Sequence, residues 1–203
     1  MSMDVGNLFI VSGPSGVGED SVIEGLKSVL PIERVVTTTT REMREGEFQG
    51  NPYYFISTEE FQEKIVRGEF VEYAQEYNDN FYGVTKEEIE RVANSGNIGI
   101  WKIEWRGVVT AKKLFPGIVA IFLTVSDLAV LEDRIRRRKP DVSEEYLRER
   151  MEYTREWLKH TDIYDYTVYN EENELEKAIQ DIAEIIRCRA SICQEDPGRC
   201  APA

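Results

Sequence analysis

The sequence predicts an α/β fold: a parallel sheet covered by helices on both faces, interrupted by a small, mostly β insertion and by a helical lid. Three observations carry this. Short apolar runs alternate with helical patterns, a glycine-rich loop follows the first run, and residues 35–85 abandon the alternation.

The first run, NLFIVS, reads as a buried strand and leads directly into Gly13-Pro14-Ser15-Gly16-Val17-Gly18-Glu19-Asp20. This is the spacing G-x-x-x-x-G-K-[ST] of a phosphate-binding loop, with glutamate where lysine belongs and aspartate in place of the hydroxyl residue. Its glycines let successive N–H groups turn inward at a helix N-terminus, where the dipole favours an anion. That half of the mechanism is retained, while Glu19 and Asp20 repel phosphate. An ordinary glycine-rich strand-to-helix turn is the competing reading. Val22, Ile23, Leu26, Val29 and Leu30 then fall at helical spacing.

Residues 35–85 hold short strand-like pieces (RVVTTTT, YYFIS, FVEYAQ), turn signals and one helix with a capping box from Ser57 to Glu60. Within them, Thr37 to Glu47 carries Arg41 and Arg44 among several hydroxyls, with Tyr53 and Tyr54 following. Two guanidinium forks so placed make a cradle for a dianionic phosphate, with Glu47 able to hold one of them; a solvated charged edge strand is the alternative. Glu72 and Tyr82 place a carboxylate and a phenol in the same insertion. A buried carboxylate there could read the N–H edge of a purine, and a surface acid is the simpler reading.

Strand-like runs return at Ile98–Ile103, Ile118–Val125 and Tyr166–Tyr169, with helical patterns over Val108–Leu114, at Leu128, Leu131 and Ile135, and from Tyr146 to Leu158 behind the N-cap candidate Ser143. Residues 134–145, RIRRRKPDVSEE, are basic and broken by proline, followed by Arg150 in the next helix. Arginines on a closing lid would stabilise charge developing on a transferred phosphoryl group and exclude water; a basic solvated helix end is the alternative.

The net charge of −13 over 203 residues argues against a nucleic-acid partner and disfavours anionic membranes. The N-terminus lacks the basic region of a secretory signal, and no apolar run is long enough to span a bilayer. Cys188, Cys193 and Cys200 all lie near the C-terminus, far in sequence from the single histidine, His160, which disfavours zinc and suggests a reducing, cytoplasmic setting; a tail disulfide stays open.

Taken in order, GPSGVG, TTREMREGEFQGNPY, GEFVEYA, Tyr82-Gly83, Arg106-Gly107, the lid arginines and YDYTVYN resemble the guanylate kinase family over residues 6–187. The resemblance implies a P-loop three-layer core (1–34 and 86–187, with the lid at about 134–150) and a GMP-binding insertion (35–85); from about Cys188 the apolar periodicity dies away, which predicts a disordered tail (188–203). It implies ATP and GMP as ligands, Mg²⁺ as cofactor, and a monomer or homodimer. Gly13, Ser15, Gly16, Val17, Gly18, Glu19 and Asp20 then form the donor-phosphate loop. Arg41, Arg44, Tyr53 and Tyr82 match residues that grip the GMP phosphate. Glu72 matches the carboxylate on guanine, Thr37 a serine at the base, and Glu104 an aspartate on the acceptor side. Arg134, Arg138 and Arg150 resemble the catalytic lid arginines, with Arg137 an alternative to Arg138, and Asn170 matches an asparagine beside the adenine.

The departures are equally specific. Besides Glu19 and Asp20, Val84 stands where Ser or Thr completes guanine recognition, Lys102 replaces an aspartate at the end of a strand, and Arg106 replaces a glutamine. A lysine lost from the loop thus reappears on the strand that faces it. One reading lets Lys102 reach the donor phosphates while Asp20, with Glu19, holds Mg²⁺. Another pairs Glu19 with Lys102 and closes a retired site. The expected activity is ATP + GMP giving ADP + GDP by positioning and electrostatics. The alternatives are an inactive module binding GMP or a phosphorylated peptide, and a kinase for another phosphorylated acceptor.

Overall fold

The computed structural model describes residues 5–75 and 79–190. Five parallel strands form the main sheet: β1 (Leu8–Ser12), β2 (Ile32–Arg34), β7 (Ile98–Trp101), β8 (Val119–Thr124) and β9 (Tyr166–Tyr169), in the order β2-β7-β1-β8-β9. β1 shows why both faces are covered. Phe9 and Val11 enter one apolar cluster, with α1 (Glu19–Leu26) and α7 (Leu175–Arg189), while Leu8 and Ile10 enter the other, with α3 (Lys86–Ala93) and α4 (Trp105–Leu114). Alternate side chains of a strand point to opposite faces, so an unbroken apolar run fits a sheet buried on both sides.

The insertion is a separate four-stranded sheet in the order β4-β3-β6-β5, built from β3 (Thr37–Thr39), β4 (Tyr53–Phe55), β5 (Phe70–Gln75) and β6 (Phe81–Thr85). Its helix α2 (Thr58–Val66) starts at the expected cap, Ser57 Oγ accepting from Glu60 N at 3.1 Å, and buries Phe61, which stacks on Phe70 at 4.3 Å. The run RVVTTTT is split between sheets: Arg34 ends β2 in the core, and Thr37 opens β3 in the insertion.

α5 (Leu128–Arg138) and α6 (Glu144–Trp157) occupy the segment expected to act as a lid, Ser143 Oγ capping α6 through Tyr146 N at 3.2 Å. α7 continues through Cys188 to Arg189, and Ala190 is buried, so the helix outlasts the point where the sequence periodicity fades. The rest of the expected tail, with Cys193 and Cys200, lies outside the described residues. Among the described residues no helix is long and apolar enough to cross a membrane.

Candidate active site

The loop after β1 takes the turn its glycines permit. Gly16 (φ 90°) and Gly18 (φ 92°) occupy the left-handed region, where a side chain is strained. A Cβ on Gly16 would also lie 2.9 Å from the Leu131 carbonyl oxygen, and one on Gly18 2.8 Å from Asn170 Nδ2. Val17 is fully buried and anchors the loop in the core, while Ser15 is half-buried.

α1 begins at Glu19, so both altered residues occupy its first turn, where the dipole favours carboxylates. Glu19 turns back: its Oε1 accepts from Gly13 N at 2.9 Å. Burial pushes its carboxyl up to about 7, against the opposing pull of Lys102 and of the Gly13 hydrogen bond. Asp20 faces outward, and its Oδ2 lies 2.8 Å from Lys102 Nζ, just beyond the end of β7. Its Oδ1 lies 3.0 Å from Arg34 at the end of β2. Desolvation raises the Asp20 pKa, but the charges and hydrogen bonds of Lys102 and Arg34 outweigh it and hold the carboxyl below its ordinary value. The Asp20 side chain is 63% exposed, so each pair contributes about 0–1 kcal/mol to stability.

In the ligand-free protein these acids are engaged by protein groups. Each Asp20 oxygen already meets a cation and Glu19 accepts the Gly13 N–H. Among the described residues no group of three or more His, Cys, Asp or Glu side chains could hold a metal. With no donor bound, Asp20 and Glu19 are cation-paired and hydrogen-bonded carboxylates.

Asp20, Arg34 and Lys102 share a cavity of about 840 Å³ with Arg41, Arg44, Tyr53 and Tyr82 of the insertion. Arg41 is oriented by Glu47, with NH2 at 2.8 and 2.9 Å from its two carboxylate oxygens, and lies over the Tyr53 ring at 5.4 Å. Tyr53 meets Tyr82 edge-on at 5.8 Å. Thr37 pairs in register with Tyr53, and Arg44 is exposed at the cavity wall.

Glu72 projects from β5 close to α4, where a Cβ on Gly107 would lie 3.7 Å from its Oε2. Burial first, and the charge of Glu104 second, raise its carboxyl to about 7. Glu104 accepts a short hydrogen bond from Tyr153 OH on α6, and Arg106 lies 3.6 Å from Glu104. Val84 is fully buried in the core cluster and offers no ligand surface.

The lid arginines stand elsewhere. Arg134 donates to the carbonyls of Asn170 and Glu171, both at 3.0 Å, and to Val17 O at 3.4 Å, tying the loop to the end of β9. Asn170 is buried and donates Nδ2 to Val17 O at 2.7 Å, leaving its Oδ1 without a hydrogen-bond partner. Arg137 pairs with Glu172 and Arg136 with Glu132 and Glu144, while Arg150 lies over Tyr146 at 5.0 Å. Arg134, Arg138 and Arg150 do not line the cavity. Sequence reasoning missed Arg34 and Tyr153. Arg34 had a signal, a lone cation closing a strand beside the one that Lys102 follows.

A parallel sheet with a glycine-rich loop after β1, and a second sheet carrying arginines and tyrosines toward that loop, define a P-loop nucleotide kinase scaffold. The guanylate kinase family model matches residues 5–189, and the chain belongs to that family. It is 36% identical to the guanylate kinase of Fusobacterium nucleatum, over 91% of this chain and 97% of that protein. It is 38% identical to the guanylate kinase of Buchnera aphidicola, over 91% and 88%. The crystal structure of guanylate kinase from Anaplasma phagocytophilum superposes with a TM-score of 0.70 at 28% identity, covering 98% of this chain and 92% of that one.

Proposed function

We propose that the protein is a working guanylate kinase in which Lys102 serves the donor phosphates in place of the missing loop lysine. A GMP phosphate oxygen attacks the terminal phosphorus of ATP. The new P–O bond forms as the bond to the bridging oxygen breaks, the electron pair leaves with ADP, and GDP results. A nucleotide phosphate oxygen is already an adequate nucleophile, so no general base is needed.

The carrying observation is that one cavity is lined both by Asp20 and Lys102 at the loop and by Arg41, Arg44, Tyr53 and Tyr82 of the insertion. A donor and an acceptor phosphate held at its two sides would meet within it, and holding them in line supplies much of the rate. Arg41, Arg44, Tyr53 and Tyr82 grip the acceptor phosphate, Glu72 accepts from the guanine N–H edge, with Thr37 at the base, and Glu104 stands on the acceptor side. The N–H groups of Ser15, Gly16 and Gly18 cradle the donor, with Asn170 near its adenine. Arg134, Arg138 and Arg150 come over the phosphates when α5 and α6 close. Guanylate kinases are ATP-dependent and generally need a divalent metal. Mg²⁺ arriving with ATP would neutralise part of its phosphate charge. The reading places the enzyme in the cytoplasm, as a monomer or homodimer.

The test is a coupled assay of ADP release with ATP, Mg²⁺ and GMP, beside AMP and no-acceptor controls. Turnover specific to GMP supports the proposal. No turnover, with GMP still raising the melting temperature, would instead make the protein a binding module.

A further inference from the structure

We infer that Arg34 is a catalytic residue of this protein, forming with Lys102 a two-cation seat for the transferred phosphoryl group, and that the Asp20 carboxylate fills that seat until the donor arrives. The inference rests on the kinase reading above for its chemistry, and on geometry for its location.

β2 and β7 pair in parallel, with Arg34 opposite Ile100, so the end of β2 lies beside the end of β7, where Lys102 follows. The carboxyl ends of parallel strands are where α/β folds bind ligands. The two cationic heads converge on one carboxylate, Arg34 at 3.0 Å from Oδ1 and Lys102 at 2.8 Å from Oδ2. Two oxygens on one centre, each met by a separate cation, is also what two non-bridging phosphoryl oxygens require.

The surroundings favour exchange. The Arg34 and Lys102 side chains are 33% and 29% exposed and Asp20 is 63% exposed, so the carboxylate can swing outward while the cations stay at the wall. Both cations line the cavity that contains Arg41 and Arg44. Arg34's strand neighbour, Glu33, is engaged outside that wall by Arg91, at 2.5 Å. The remaining acids along the cavity are Glu24, which pairs with Lys27, and Glu47, which holds Arg41. During transfer the attacking oxygen comes from GMP and the electron pair leaves with ADP. Arg34 exchanges no proton and stabilises charge on the equatorial oxygens.

The experiment uses the full chain and its Arg34→Ala, Arg34→Lys and Asp20→Asn variants. It reads kcat and KM for ATP and GMP, and separately the rise in melting temperature caused by inorganic tripolyphosphate without nucleotide or metal. In Arg34→Ala, kcat should fall about 10²-fold, with the GMP KM within about threefold of wild type and the tripolyphosphate shift reduced. Arg34→Lys should recover part of both, and it carries the test if the alanine variant does not fold. Asp20→Asn, which removes the competing anion, should enlarge the shift. A tripolyphosphate shift in the Arg34 variants equal to wild type overturns the seat, whatever turnover does. A smaller shift in Asp20→Asn overturns the role given to Asp20. Absence of GMP-dependent ADP release in the wild type refutes the kinase reading instead, and the tripolyphosphate shift still judges Arg34.

Discussion

Lys102 Nζ lies 2.8 Å from Asp20 Oδ2 and 4.0 Å from Glu19 Oε2, joining the end of β7 to the first turn of α1. A cation is thus present at the phosphate loop although the loop lysine is absent. It reaches the loop from the neighbouring strand. Lys102→Ala is expected to lower kcat by about 10²–10³-fold, the usual cost of losing one preorganised donor to the transition state. Steady-state ADP release checks this, and near-wild-type turnover would sink the exchange. Glu19→Lys alone should not raise activity, because it sets a second cation against Lys102 and removes the acceptor of the Gly13 N–H.

Arg41 and Glu47 separate gripping from positioning. Arg41→Ala should raise the GMP KM tenfold or more, in line with about 1.5–3 kcal/mol for a hydrogen bond to a charged group. Glu47→Gln keeps the arginine but loosens the contact that orients it, so its GMP KM should rise less. Equal effects in the two variants would mean that Arg41 acts only as a partner for Glu47.

If Glu72 reads the guanine as proposed, the acceptor side should depend on pH with a defined sign. Its carboxyl is raised to about 7 in the folded protein, by burial and then by Glu104, and only the ionised form can accept from two N–H groups. The GMP KM should therefore fall as pH rises from 6 to 8, by about tenfold for a one-site titration through 7. Stability of the ligand-free protein should fall with rising pH while affinity for GMP rises. A carboxyl with a raised pKa binds its proton more tightly when folded, so its contribution is greatest at low pH and is lost between 4.5 and about 7. Glu72→Gln should flatten the KM profile and remove part of the stability loss. A GMP KM indifferent to pH in the wild type would place Glu72 away from the base.

Much of this was legible in the residues because the signals are local. The apolar runs at Leu8–Val11 and Ile118–Val125 became β1 and β8, since a buried parallel strand needs little beyond its own pattern. The caps at Ser57 and Ser143 formed as spacing predicts. β6 and α3 escaped because FYGVT and KEEIERVA are amphipathic pieces whose buried faces exist only once the two sheets meet. Charge partners were harder still. Asp20 and Lys102 are 82 residues apart, and the sequence pointed to Glu19 as Lys102's partner, which lies at 4.0 Å against 2.8 Å for Asp20. Nor does a basic run disclose that, with no donor bound, Arg134 donates to three backbone carbonyls.

The packing of α1 against α7 links stability to the site, because α1 carries Glu19 and Asp20 at its start. A Cβ on Gly25 would lie 2.1 Å from Ile179 Cδ1 and 2.9 Å from its Cγ1, and Ile179 is only 4% exposed. Gly25→Ala gains up to about 1 kcal/mol of helix propensity, but overpacking costs about 1–3 kcal/mol, so a net loss is expected. Ile179→Val removes the clashing methyl and alone should cost about 0.5–1.5 kcal/mol. The double variant should be more stable than the sum of the two losses, a coupling that urea denaturation measures directly. If α1 shifts to relieve the clash, kcat should fall in Gly25→Ala and return in the double variant, because Asp20 and Lys102 regain their register. Strict additivity would show that the helix accommodates the methyl group without moving.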